Sequence, residues 1–123
     1  MRAPNASDFE VLLEGVGKFT LGRMTYGDRL ATRAKFLTMA RAAGISPEAS
    51  EAEKNGPDAD EIDYMRWLLR NMAKYQTLVV SCPLGWQDPW AEEVVLMENI
   101  TKRDEQLSLL FRKIGEAEDS FRR

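Results

Sequence analysis

The chain contains no histidine and a single cysteine, Cys82, among 123 residues. Those two absences remove Ser-His and Cys-His nucleophilic pairs, His-rich metal sites and any internal disulfide. No apolar run approaches the roughly 18–20 residues that a membrane-spanning helix requires, so no membrane partner is expected. The stretch Met1–Ser7 is polar and lacks the apolar core of a secretory leader. Positive charge is not in excess either. With 17 basic and 20 acidic residues the net charge is −3, the opposite of the balance a nucleic-acid binder ordinarily carries. Carboxylate, Lys and Tyr chemistry is all that is left to an enzyme. The expectation is therefore a binding or structural protein without catalysis, cofactor or metal.

What the sequence does have is 44% apolar residues, enough for one core at this length, and a single domain over 1–123 is expected. Charge is uneven along it. Residues 1–47 carry a net +3, residues 48–63 a net −6, and residues 64–123 balance. The acidic middle, Ser46–Asp58, with Pro47, Gly56 and Pro57 and almost no apolar side chain, cannot bury enough surface to offset its ordering entropy. It reads as an exposed loop over 45–58.

Before that loop, Phe9, Val11 and Leu13 alternate, as do Phe19 and Leu21, on either side of Glu14-Gly15-Val16-Gly17. A period of two around a glycine turn predicts a β-hairpin over 8–23. An isolated hairpin is marginal in water, so it must pack on something. Thr25 and Asp28 then have the spacing of a capping box, opening a helix over 26–43 with Leu30, Ala34, Leu37 and Met39–Ala40 inward and Gly44 as its C′ residue. Arg29, Arg33 and Arg41 fall on its polar side. A second helix is expected over 59–82, begun by Asp58–Asp60 at the positive end of its dipole and stopped by Pro83. Ile62, Met65, Leu69, Met72, Gln76 and Val79 mark its inner face, with Leu68, Trp67 and Tyr75 adding to it, and Leu78–Ser81 deeply buried. Residues 83–100 read as an aromatic loop and a short segment. A third helix over 101–121 is carried by Leu107, Leu110, Phe111, Ile114, Ala117 and Phe121. The fold class expected is α+β, an N-terminal hairpin followed by about three main helices.

Several features invite a functional reading and have a plainer one. Asp60-Glu61-Asp63 and Glu92–Glu93 are explained by helix starts, and no calcium-type loop is present. Gly15, Gly17 and Gly22 do not have phosphate-loop spacing. Arg29, Arg33, Lys35 and Arg41 could face nucleic acid, but aromatic interleaving is poor, which leaves a solvated face as the plainer reading and nucleic acid an unfavoured partner. Trp86 and Trp90 either plug the core or anchor a partner. Met39, Met65, Met72 and Met97 either fill the core or offer an adaptable surface.

Three patches resemble a known family. Gly17-Lys18-Phe19-Thr20-Leu21-Gly22-Arg23-Met24-Thr25-Tyr26-Gly27-Asp28 is similar to the opening of tail assembly chaperones of long-tailed bacteriophages, where a short hairpin leads into a helix. Leu78-Val79-Val80-Ser81-Cys82-Pro83-Leu84-Gly85-Trp86 resembles their "L-x-V-x-x-P-x-G-W" segment, and Phe111–Arg122 their closing helix, which often ends "E-D-S-F-R". Met24 stands where the family commonly has proline, the 46–58 loop is long, and residues 87–100 match nothing in the family. The resemblance implies a protein of the host cytoplasm, absent from the mature virion, that binds the long helical tape-measure protein and keeps it soluble until tail-tube subunits polymerise. The tail-tube protein and further copies of the chain are the secondary partners it allows. The partner-binding residues expected are Trp86, Trp90, Met97, Phe111 and Phe121, forming an apolar groove. A small virion structural protein, a head–tail connector or tail completion subunit, shares the size, charge and lack of chemistry and is the alternative.

Overall fold

The computed structural model describes residues 1–48, 59–87 and 97–121, with backbone alone for 59 and 97–104. The elements in chain order are β1 (Phe9–Leu13), β2 (Gly17–Leu21), α1 (Tyr26–Ala42), α2 (Ala59–Leu78), β3 (Val79–Ser81) and α3 (Met97–Phe121). Among the described residues the protein is mostly helical, with an N-terminal hairpin and three helices, as the periodicities indicated. The acidic loop expected over 45–58 lies outside the described residues from 49 onward, as do residues 88–96. The chain divides into two compact units, residues 1–24 with 75–123 and residues 25–74.

The first unit is built on the hairpin. β1 and β2 pair antiparallel, Phe9 opposite Leu21 and Leu13 opposite Gly17. Its turn is closed by the Val16 amide donating to the Leu13 carbonyl at 3.0 Å, with Gly15 at φ +79. That left-handed position is one glycine takes without the steric cost of a Cβ. Phe9, Val11, Leu13, Phe19 and Leu21 are all buried on one face, which is the period-two expectation met. Beneath them lie Tyr75 and Leu78 from the end of α2, Val79, Trp86, and Leu107, Leu110, Phe111 and Ile114 of α3.

One element was not expected. The helix predicted to run to 82 ends at Leu78, and Val79–Ser81 form a third strand antiparallel to β2, with Leu21 opposite Val79 and Thr20 opposite Ser81. The reason is where the backbone carbonyls go. The Leu78 carbonyl accepts from the Gly22 amide at 2.8 Å and the Val79 carbonyl from the Arg2 amide at 2.9 Å. Extended chain thus satisfies groups that a helix end leaves orphaned, while β-branched Val79 and Val80 suit a strand. Burial is also shallower than expected. Leu78 and Val79 are buried, Val80 is half-buried and Ser81 is exposed.

The second unit pairs α1 with most of α2. The capping box is present: the Asp28 amide donates to Thr25 Oγ1 at 3.2 Å and the Thr25 amide to Asp28 Oδ2 at 2.8 Å. At the other end Gly44, φ +70, forms a Schellman closure. Its amide donates to the Arg41 carbonyl at 3.1 Å, and the Ile45 amide donates to the Ala40 carbonyl at 2.9 Å. Ile45 also packs on the cluster that holds Ala40. That cluster is Phe36, Ala40, Leu69 and Ala73, with Leu37, Met39 and Met65 half-buried against it. Of the residues expected inward on α1, Ala40, Leu37 and Met39 join this cluster and Phe36 adds to it, while Leu30 and Ala34 are exposed. On α2, Trp67 is half-buried and stacks on Tyr64, ring centroids 6.0 Å apart, instead of entering the core.

Arg66 is the second unit's buried charge, only 2% exposed. Its Nε donates to the Ser46 carbonyl at 2.7 Å, Nη1 to Asp63 Oδ1 at 3.0 Å and Nη2 to the Glu48 carbonyl at 3.4 Å. The rigid fork of the guanidinium ties the chain following α1 to α2. A polar residue on the helical wheel gave no sign of this role.

Candidate partner-binding surfaces

The residues expected to bind a partner occupy different surroundings in the fold. Phe19 sits at the centre of an aromatic group in the first unit, edge-to-face with Trp86 at 5.5 Å and with Tyr75 at 6.1 Å; Tyr75 is tilted against Phe111 at 6.4 Å. Trp86 and Phe111 are both buried in the first unit. Such pairs contribute about 0.5–1.5 kcal/mol each beyond the area they bury. Trp90 lies outside the described residues. Met97 opens α3, and its side chain is likewise outside them.

Trp86 is held by its backbone as well as its ring. Pro83-Leu84-Gly85-Trp86 is a turn in which the Trp86 amide donates to the Pro83 carbonyl at 3.1 Å, with Gly85 at φ +86. The Tyr75 hydroxyl donates to the Trp86 carbonyl at 2.6 Å. Burial, and secondarily a hydrogen bond and charge interaction with Cys82, push the Tyr75 phenol far above the ordinary tyrosine range. It is a structural donor, neutral at all ordinary pH.

Phe121 is the one expected site residue with an open face among those whose side chains are described. It is 37% exposed, edge-to-face with Phe9 at 5.0 Å, and covered on one side by the Arg23 guanidinium at 4.1 Å. Leu84, at the tip of the turn, is 95% exposed and was missed; its signal was an apolar residue between Pro83 and Gly85, where turns are otherwise polar. In the second unit the exposed apolar residues include Tyr26 and Leu30 of α1, of which Leu30 was expected to face inward.

Among the described residues, no group of three His, Cys, Asp or Glu side chains gathers as a metal site would, and no helix is long and apolar enough to cross a membrane. No protein-family model, no curated protein and no solved structure matches the chain.

Proposed function

We propose that this protein is a tail assembly chaperone of a long-tailed bacteriophage, one that binds the tape-measure protein and keeps it soluble until the tail tube polymerises. The observation that carries the reading is a convergence. The three patches that bear the family resemblance are distant in sequence, yet each contributes to one packed unit: Phe19 and Arg23 from the hairpin patch, Trp86 from the Pro-Leu-Gly-Trp patch, and Phe111 and Phe121 from the closing helix. Side chains from all three patches thus build one packed scaffold, and on this reading its exposed remainder is left for a partner.

The physics suits the role. An elongated helical client needs many modest apolar contacts that can later be displaced, supplied by helix-in-groove docking. Weak affinity at each copy, repeated along one client, coats it strongly through multivalency. On this reading the protein is non-enzymatic and needs no cofactor. It works in the host cytoplasm, is absent from finished particles, and has the tail-tube protein and its own further copies as secondary partners.

Co-expression with the tape-measure protein of the same phage is the test. Tape measure that becomes soluble and co-purifies with this chain supports the reading. A client equally soluble without the chain, or stoichiometric recovery of the chain from purified particles, overturns it; the latter result would make it a structural component.

A further inference from the structure

We propose that the outward face of α1 docks an acidic amphipathic helix of a partner protein. Tyr26, Leu30, Ala34 and Leu37 stand at i, i+4, i+8 and i+11, one stripe along the helix. Tyr26 is 77% and Leu30 57% exposed, Ala34 is exposed, and Leu37 is half-buried where the stripe meets the Phe36 cluster. About three turns of helix therefore present apolar surface outward. Arg33 borders that stripe on one side, with Arg29 beyond it, and Arg41 continues it toward the C-terminal end of the helix. Lys35 lies on the far side of the helix.

Charge decides the occupant. α1 carries four basic residues and one acidic residue in a chain whose net charge is −3. Among the described residues, Arg29, Arg33 and Arg41 make no side-chain ion pair. A second copy meeting this face through its own α1 would set like charges against each other, as a two-fold contact does. A nucleic-acid backbone would leave Tyr26 and Leu30 against phosphate with nothing apolar to cover them. A helix with an apolar seam bordered by Asp and Glu satisfies both parts of the surface. About three turns of it, roughly 17 Å, would span the stripe.

The inference deepens the chaperone reading by naming the chemistry of the client segment, and rests on it only for which protein supplies that segment. The test uses the full chain with three labelled probes: a Glu/Leu amphipathic helical peptide, its Lys/Leu counterpart and a short DNA duplex. The Glu/Leu peptide is expected to bind about tenfold or more tightly than the Lys/Leu peptide, and less tightly as salt rises. Leu30→Glu, and separately Arg33→Glu with Arg41→Glu, should weaken it at least about tenfold, while Lys35→Glu changes it less than about threefold. Leu30→Ala serves as the milder variant, and circular dichroism checks that each variant is folded. Equal binding of the two peptides, preference for the duplex, indifference to Leu30→Glu, or a dimer in sedimentation that Leu30→Glu dissociates would each overturn the proposal.

Parallel co-expression separates the two readings. If wild type and Leu30→Glu solubilise the tape-measure protein equally, the α1 surface fails and the chaperone role stands. If the peptides behave as expected but wild type leaves the tape measure insoluble, the surface stands and the chaperone role fails.

Discussion

Replacing Tyr75 by phenylalanine removes one hydroxyl from the middle of the first unit and nothing else. That hydroxyl donates to the Trp86 carbonyl at 2.6 Å, and Tyr75 is fully buried. Losing a buried hydrogen bond of this kind costs about 1–2 kcal/mol. With unfolding entropy near 2.1 cal/mol/K per residue, the expected fall in Tm is about 4–8 °C for a chain of 123 residues. Thermal unfolding followed by circular dichroism at neutral pH measures it. The pH dependence supplies a second, independent signature. Burial first, then Cys82, raises the native phenol far above the unfolded tyrosine value of about 10. Below that value both states hold the proton, so the stabilisation is complete. Above it only the unfolded chain releases the proton, so wild type loses up to about 1.4 kcal/mol per pH unit from this group. The phenylalanine variant has no proton to release at this position. The gap between wild type and Tyr75→Phe should therefore narrow above pH ~10 and nearly close about one unit higher. A gap that stays constant from neutral pH to pH ~11, or no gap at all, refutes the reasoning.

Other substitutions test the remaining supports. Arg66→Met leaves the Ser46 and Glu48 carbonyls without their cationic donor and should cost about 2–3 kcal/mol in urea unfolding, with hydrogen exchange at residues 45–48 accelerated most. Gly17→Ala places a Cβ 3.0 Å from Pro83 Cγ at a backbone φ of +141, for a loss of about 1–2 kcal/mol; unchanged stability would show that the hairpin shifts freely. Thr25→Ala should cost about 1 kcal/mol and be read as faster amide exchange confined to the first turn of α1. Leu84→Ser, at a fully open turn tip, should change stability by less than about 0.5 kcal/mol.

Local rules written into the chain were legible without a structure. The alternation Phe9-Val11-Leu13, the glycine turn, the Thr25–Asp28 box, Gly44 as a helix stop and the Leu107–Ile114 stripe each depend on neighbours a few residues away, and each is found in the fold. The candidate site was less legible. Trp86 and Phe111 are large and apolar, which suits a hot spot and a core equally, and only the packing of Phe19 and Tyr75 around them decides for the core.

Residue order thus determined the hairpin, the caps and the three helices of the described residues, and it supplies no histidine for a nucleophilic pair or a metal ligand. Tertiary structure decided the rest. Val79–Ser81 became a strand because Gly22 and Arg2 offered their amides to carbonyls at the end of α2. Arg66 became a buried clasp because the chain after α1 brought two carbonyls to it. Leu30 was left outside because Phe36 and Ala40 took the inner face of α1. Each outcome turned on partners remote along the chain, and helical or strand periodicity records only how a segment repeats, not what comes to meet it.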